Sequence, residues 1–304
     1  MMILGRVAAL LASLALAAPP AIAAECATWV WESDALHLIE NPSDMRQAFS
    51  LARHRHITTL YLYADAVHDQ GLLVRRAADY RHFIRRAHGA GLRVFALLGP
   101  DWRTSAMMMF QRVLDYNHST AASERFDGVN LDIEPYNIDG WRRNEHELLR
   151  QYLDLGNALM DLKRASGQAL VVGPAIPFWF SALPVRWRGV SGSVTQHVLA
   201  VFDYAVVMDY RNRADGEDGI IAHATASLAI AAHEGKPVLI GIEVAPSKLG
   251  KSSFWERTDR DLNRAVFQTK HAFRDNQAFM GFAIEDYGAY REWLTRQAQA
   301  QKGK

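Results

Sequence analysis

Hydrophobic residues fall into two kinds of segment that alternate along this chain. Short runs of β-branched, aromatic and other apolar residues are typical of buried strands, and longer segments with helical periodicity are typical of amphipathic helices. Eight strands are predicted in this way, at Ala27–Trp31, Ile57–Tyr63, Arg93–Leu98, Gly128–Glu134, Leu170–Ile176, Tyr204–Tyr210, Val238–Val244 and Met280–Glu285. Because nearly continuous apolar strands alternate with helices, the pattern favours a parallel sheet covered by helices.

The predicted helices lie between these strands. They comprise a segment that begins at Ser43 or Asp44, followed by Tyr80–Ala90, Ser105–Ser123, Arg143–Ala165, Ser193–Val201, Glu217–His233, Asp259–Phe273 and Gly288–Gln297. Gly91, Gly167 and Gly235 each close a helical segment shortly before a strand, as expected of glycine at a helix C-terminus. Eight strand–helix units in one chain predict an α/β fold, a single (β/α)8 TIM barrel.

The first residues have the character of an export signal. Arg6 precedes an apolar run at 7–17, and two prolines interrupt this run before a small-residue cleavage site that ends at Ala23. The run is shorter than the roughly 20 apolar residues that a membrane-spanning helix needs. We therefore expect residues 1–23 to be a signal peptide, residues 24–304 to form one barrel domain, and the protein to be periplasmic or secreted.

Composition and charge narrow the possible functions. The chain has 34 basic and 33 acidic residues, so it lacks the positive excess that is typical of nucleic-acid binding. Its single cysteine excludes an internal disulfide, and its 12 histidines include no His-Glu-x-x-His metal motif. We expect no cofactor, no bound metal, no nucleic-acid partner and no membrane association after signal cleavage, and we expect the domain to be a monomer.

The fourth predicted strand carries three polar residues on one face. Side chains alternate along a strand, so Asn130, Asp132 and Glu134 point the same way while the other face is apolar. The apolar face is expected to pack against helices, which directs the polar residues into the barrel. Active sites of such barrels lie at the C-terminal ends of the strands. A carboxyl that burial and a like charge keep protonated there can serve as a general acid.

This strand resembles the Asp-x-x-Asp-x-Asp-x-Glu signature of family 18 glycoside hydrolases, the chitinase and endo-β-N-acetylglucosaminidase family. Here the pattern reads Asp127-x-x-Asn130-x-Asp132-x-Glu134, with Asn130 where the family usually has Asp. The resemblance implies that Glu134 protonates the glycosidic oxygen. It also implies that Asp132 orients the 2-acetamido group of the sugar and stabilises the charged intermediate.

The sixth strand provides a second match. Val206–Tyr210 ends in Met208-Asp209-Tyr210, which is similar to the family's Met-x-Tyr motif, although Arg211 follows where Asp or Asn is usual. The resemblance implies that Tyr210 hydrogen-bonds the acetamido group from the opposite side. Substrate-assisted hydrolysis of this kind requires a 2-acetamido sugar. The implied partner is therefore a carbohydrate that contains N-acetylhexosamine.

Further residues at strand ends and in the following loops are candidates for contact with the sugar. Aromatic faces offer surfaces on which sugar rings stack, and Trp102 and Trp179 follow the third and fifth strands. The residues that we assign to substrate binding are Asn130, Tyr136, Met208, Asp209, Trp102, Trp179, Glu243 and Glu285.

One alternative is a retaining barrel glycosidase with two catalytic carboxylates. Glu243 closes the seventh strand, so Glu134 would be the acid/base and Glu243 the nucleophile, with carboxyl groups about 5–5.5 Å apart. Such an enzyme would not need an acetamido group on its substrate. A structural role for Glu243, in an ion pair with Arg211 or Lys248, is the simpler interpretation of the same residue.

A second alternative is a carbohydrate-binding barrel without turnover. Asn130 favours it, as does the eighth strand, which ends at Glu285 without the Trp that commonly floors the sugar subsite in the family. Retention of Glu134 favours catalysis, since loss of the acid is the simplest route to a protein that only binds.

Overall fold

A closed barrel of eight parallel strands forms the centre of the computed structural model, which describes residues 25–67, 70–99 and 103–302. The strands are β1 (Glu25–Val30), β2 (Thr59–Tyr63), β3 (Arg93–Leu98), β4 (Gly128–Leu131), β5 (Val171–Pro177), β6 (Ala205–Met208), β7 (Val238–Glu243) and β8 (Phe279–Glu285). Each pairs in parallel with the next, and β8 pairs with β1 to close the ring. The predicted (β/α)8 fold is confirmed.

Helices surround this barrel. They are α1 (Glu32–Glu40), α2 (Pro42–His54), α3 (Leu72–Arg75), α4 (Ala77–Gly89), α5 (Arg103–Ser119), α6 (Trp141–Ser166), α7 (Val194–Val201), α8 (Ile220–Glu234), α9 (Asp259–Ala272) and α10 (Tyr287–Lys302). A two-stranded antiparallel hairpin, Pro184–Trp187 with Val190–Ser193, lies between β5 and α7. Among the described residues, no helix combines the length and the apolar character needed to cross a bilayer. The expected signal peptide and Trp102 lie outside the described residues.

The prediction that the first helix begins at Ser43 or Asp44 was wrong. α1 follows β1 after one residue, and α2 begins at Pro42, where the Asn41 side chain accepts a hydrogen bond from the Ser43 N–H at 2.9 Å. An Asn cap followed by Pro in the first turn is a strong start signal, because Pro lacks an N–H and already has helical φ. At the other helix ends the prediction is confirmed, since Gly91, Gly167 and Gly235 all adopt positive φ.

The barrel interior is packed with aromatic and aliphatic side chains. Trp29, Tyr61, Phe95 and Tyr204 form a chain of ring contacts with centroids 5.4–5.9 Å apart. Gly128 makes room for this packing, because a Cβ there would lie 2.3 Å from the Val171 carbonyl oxygen and 2.5 Å from the Phe95 ring. The functional residues at the C-terminal ends of the strands therefore stand above a filled core.

Candidate active site

The segment after β4 carries the predicted acids. Ladder pairing ends at Leu131, earlier than the predicted Glu134, but the Asp132 N–H still donates to the Leu98 carbonyl at 2.8 Å. Ile133 is 4% exposed and packs in the outer core, between the strands and the helices. The predicted alternation thus continues past the strand, with Asp132 and Glu134 on the face opposite Ile133.

Asn130 lies one layer below the acids, fully buried in the barrel interior. Its Oδ1 accepts a hydrogen bond from the Trp29 indole at 2.8 Å, and its Nδ2 donates to the Tyr204 hydroxyl at 3.1 Å. An amide supplies the donor and the acceptor that these two aromatic residues need without placing a charge among them. This accounts for Asn at a position where a carboxylate would be costly.

Asp132 keeps its proton to a much higher pH than an ordinary carboxyl group. Burial raises the pKa of Asp132 to about 7, and the neighbouring charge of Glu134 acts in the same direction. Glu134 itself is half-buried, and both carboxyl oxygens are hydrogen-bonded, Oε1 by the Tyr136 hydroxyl and Oε2 by the Asn137 amide. Both donors belong to the short 3-10 turn Pro135–Asn137, so this turn fixes the orientation of Glu134.

Two further carboxyl groups come from the adjacent strands β7 and β8, where Glu243 and Glu285 are register partners. Burial raises the pKa of Glu243 to about 7, against a hydrogen bond from the Ala245 N–H to Oε1 at 2.8 Å. Burial also raises the pKa of Glu285, whose Oε1 accepts the Trp31 indole N–H at 2.7 Å. Among the described residues, neither carboxyl forms an ion pair with Lys or Arg.

Tyr210 lies at the point where these groups converge. Burial is the largest of the effects that raise the pKa of its phenol. The charges of Glu285, Asp132, Glu243 and Glu134 raise it further, in that order of size. All four carboxyl groups, at the ends of β4, β7 and β8, are therefore close enough to the Tyr210 phenol, just after β6, to raise its pKa. We call Asp132, Glu134, Glu243 and Glu285 the carboxyl cluster. The Tyr210 hydroxyl keeps its proton and can donate a hydrogen bond to a ligand.

The two residues before Tyr210 lie on different sides of β6. Met208 is half-buried and packs on the barrel interior. Asp209 is fully buried on the opposite face, where its Oδ1 is 3.0 Å from His223 Nδ1 on α8. Burial raises the pKa of Asp209 to about 8. The structure therefore places Met208 under the carboxyl cluster and Asp209 behind the strand, away from the cluster.

Asp209 belongs to a chain of charged groups behind β6. His223 Nε2 lies 3.2 Å from Asp218, which in turn accepts from Arg211 at 2.7 Å and from Lys251 at 2.6 Å. We call these five residues the ionic network. Arg211, a possible partner of Glu243 in the sequence, is therefore engaged with Asp218 instead.

Aromatic side chains stand on two sides of the carboxyl cluster. Tyr136, Trp141 and Trp179 are partly exposed and pack edge to face, with centroids 5.3–6.4 Å apart, beside Glu134. On the other side, Trp31 follows β1 and lies 6.4 Å from the Tyr63 ring. Trp31 was missed as a site residue, because its partner Glu285 is 254 positions away in the chain.

Clustered carboxyl groups can bind metal ions. Within the described ranges, no group of three or more His, Cys, Asp or Glu side chains has an arrangement that could hold a metal ion.

Comparison with known proteins supports the fold. No family model matches the chain, and neither does any curated protein. Among solved structures, a chitinase from Bacteroides thetaiotaomicron is similar with a TM-score of 0.53 and 11% identity, over 88% of this chain and 90% of that one. A family GH18 chitinase from Cycas revoluta in complex with allosamidin gives a TM-score of 0.52 and 14% identity, over 91% and 98%. The chain therefore has a GH18-like barrel fold.

Proposed function

We propose that this protein is an exported glycoside hydrolase that cleaves a glycan containing N-acetylhexosamine. The observation that carries the proposal is the placement of Asp132, Glu134 and Tyr210 directly after β4 and β6, at the C-terminal ends of the strands of a GH18-like barrel. The Cycas revoluta chitinase, whose fold is similar, has also been solved with (GlcNAc)3 bound, at a TM-score of 0.50 and 15% identity. A sugar with a 2-acetamido group suits the donor and acceptors that this site presents.

Glu134 is the proton donor in this mechanism. It passes its proton to the glycosidic oxygen as the bond from that oxygen to C1 breaks, and the acetamido oxygen of the same sugar forms a new bond to C1. Tyr136 and Asn137 already donate hydrogen bonds to the Glu134 carboxyl, so they stabilise the carboxylate left behind. Water then attacks C1 from the opposite face, the bond from C1 to the acetamido oxygen breaks, and the Glu134 carboxylate takes the proton of that water, which restores the acid and retains the anomeric configuration.

Asp132 and Tyr210 hold the acetamido group between them. Asp132 accepts its N–H, and a pKa of about 7 lets this carboxyl ionise as positive charge develops on the cyclic intermediate. Tyr210 contributes a hydrogen bond from a hydroxyl that remains protonated. The group that attacks C1 is thereby fixed near it, which lowers the entropic part of the barrier.

A substrate panel tests the proposal. Purified protein and Glu134→Gln are incubated with N-acetylhexosamine oligomers, peptidoglycan glycan strands and neutral glycans, and products are followed by mass spectrometry and anomer-resolved NMR. We expect cleavage of acetamido sugars alone, with retention, and no turnover by the variant. Cleavage restricted to neutral glycans would contradict the proposal.

The two-carboxylate alternative is favoured by one observation, the absence of an ion pair to Glu243 in the described residues. Glu243→Gln distinguishes the two mechanisms. Under our proposal, Glu243→Gln lowers kcat far less than Glu134→Gln does. A complete loss of activity, together with a glycosyl adduct on Glu243 in the wild type, would establish Glu243 as the nucleophile instead.

Export is part of the proposal and has its own test. N-terminal sequencing of the protein from the periplasm or medium should find the chain starting at Ala24. A full-length chain retained in the cytoplasm would contradict it.

A further inference from the structure

We propose that Trp31 is a sugar platform of this site and that Glu285 is the positioning residue that holds its indole ring across the mouth of the barrel. The inference rests on the proposed function in taking the ligand to be a carbohydrate. It assigns Glu285 a role that acts through Trp31, rather than through the reacting atoms.

The two ends of the Trp31 ring lie beside different strands. At one end, the indole N–H donates to Glu285 Oε1 at 2.7 Å, at the C-terminal end of β8. At the other end, the ring atom Cζ3 lies 3.5 Å from the position that a Cβ would take at Gly99, just after β3. The carbonyl oxygen of Asp132 is 3.9 Å from that same position. The indole therefore reaches from β8 to the backbone that carries Asp132.

The lower face of the ring has a support. Trp31 packs on the interior cluster that contains Trp29 and Tyr61, together with Met208. The Trp31 side chain is nevertheless only half-buried. Because the ring packs on a filled core and is only partly buried, part of its surface remains open to a ligand beside Glu285.

The chemistry of that free surface fits a pyranose. An indole has one hydrogen-bond donor and no acceptor, and Glu285 already takes the donor of Trp31. What remains for a ligand is an apolar π face, on which the C–H face of a sugar ring packs. The hydroxyl and acetamido groups at the edge of such a sugar would meet Asp132 and Tyr210 next to the ring.

Glu285 is suited to positioning for a geometric reason. A tryptophan side chain has two rotatable bonds, and a hydrogen bond at Nε1 together with packing on the interior cluster restricts both. Burial keeps the pKa of the Glu285 carboxyl high, and an uncharged carboxyl still accepts from the indole through its carbonyl oxygen. Gln retains that acceptor, whereas Leu has a similar volume and lacks it.

Affinity measurements in a background without turnover test the proposal. Each change is introduced into Glu134→Gln, and dissociation constants for N-acetylhexosamine oligomers and neutral oligosaccharides are measured by titration calorimetry. We expect Trp31→Ala to weaken binding by about tenfold or more and Trp31→Phe, which keeps an aromatic face, by less. We expect Glu285→Leu to approach the loss seen with Trp31→Ala, and Glu285→Gln to lose several-fold less than Glu285→Leu.

Trp187 provides a matched control. Its indole N–H also donates to a carboxylate, Asp154 Oδ1 at 2.9 Å, but it belongs to the antiparallel hairpin outside the barrel. Trp187→Phe should therefore bind the oligomers as the parent does, and thermal unfolding of every variant identifies those that fail to fold.

Three results would overturn the inference. Unchanged affinity in a folded Trp31→Ala protein removes the platform. Equal losses for Glu285→Gln and Glu285→Leu, with kcat rather than KM affected in the wild-type background, make Glu285 a participant in the reaction. A further result separates the two proposals: if neutral glycans alone bind and Trp31→Ala weakens that binding, the platform stands and the proposed function fails. Failure to bind any glycan in the panel overturns both.

Discussion

Two regions near β6, the Asp218 end of the ionic network and the carboxyl cluster, differ in how the charge of their acidic side chains is balanced. In the ionic network, Arg211 and Lys251 donate to Asp218 and hold the pKa of its carboxyl well below the usual range. In the carboxyl cluster, burial is the largest influence on Asp132, Glu243 and Glu285, and it raises the pKa of each. Within the described residues, no Lys or Arg forms an ion pair with the cluster.

This difference distinguishes a carboxyl group whose charge is paired within the fold from carboxyl groups that are suited to a reaction. A partly buried carboxyl with cationic partners is the ordinary solution to burial, because its charge is paired. Carboxyl groups that are brought together without such partners cost stability, and a folded chain carries that cost where the groups serve a reaction or a ligand. The residue types alone would not have distinguished the two regions, since both contain Asp beside a strand end. Four predictions test the contrast, from the largest expected effect to the smallest.

Glu134→Gln should give the largest effect. The variant keeps the size of the side chain but cannot donate a proton to the leaving oxygen, so kcat is expected to fall by about a thousandfold or more. Steady-state kinetics on the best oligomer of the panel measures this, and calorimetry checks that the substrate still binds. Activity within tenfold of the wild type would show that the acid lies elsewhere in the carboxyl cluster.

Asp132→Asn should stabilise the folded protein at alkaline pH. The pKa of Asp132 is about 7 in the folded state, whereas the unfolded chain releases this proton near the ordinary value of 3.8. The free energy of unfolding therefore falls as pH rises through this window, and the full penalty is present above pH 7. Asn has no charge to bury. After a discount for solvent screening, the variant is expected to be more stable by about 2 kcal/mol at pH 8.

Denaturant unfolding of both proteins at pH 4 and pH 8 measures that difference. The gain should be present at pH 8 and should shrink towards zero at pH 4, where the wild-type carboxyl is protonated in the folded state. An equal difference at both pH values would mean that the charge of Asp132 is already compensated.

Tyr210→Phe should have an intermediate effect. The ring remains to fill its position among the carboxyl groups, but the hydrogen bond to the acetamido group is lost, which corresponds to about tenfold in kcat/KM. The comparison of an acetamido substrate with a neutral one isolates this contribution. A loss of equal size on both substrates would assign the hydroxyl to another part of the sugar.

Asp218→Asn should have the smallest effect, with the opposite sign to Asp132→Asn. It removes the negative charge and one of the two acceptor oxygens that Arg211, Lys251 and His223 share, so the melting temperature at pH 7 should decrease modestly. Because a lowered pKa contributes its full stability above the unfolded value and loses it as pH falls towards the folded value, the decrease should diminish below about pH 4. A more stable variant would remove the distinction between the two regions.

Much of the barrel and part of the site were predictable from local patterns. The eight strands were predicted because each is a short apolar run between helices, and alternation along β4 placed Asp132 and Glu134 on one face. The same alternation in β6 separates Asp209 from Met208 and Tyr210, and it is the signal that could have placed Asp209 behind the strand. Local patterns identify faces well because they depend on neighbouring residues alone.

Long-range partners were not predictable in this way. The hydrogen bond from Trp31 to Glu285 depends on the register between the first and last strands, which no short segment specifies. The engagement of Arg211 with Asp218 similarly depends on how the loop after β6 turns back. Trp31 could be recognised as part of the site only from the pairing of the first strand with the last.

The contact between Trp31 and Glu285 also has a consequence for the order in which the molecule matures. The donor, Trp31, directly follows the first strand, and the acceptor, Glu285, ends the last strand. The indole therefore has no hydrogen-bond partner until Glu285 has been added to the growing chain. In a partly assembled barrel that lacks β8, the Trp31 indole would have no such hydrogen bond, even if Asp132 and Glu134 were already in place. The proposed sugar platform is therefore complete only after β8 has paired with β1 and closed the barrel.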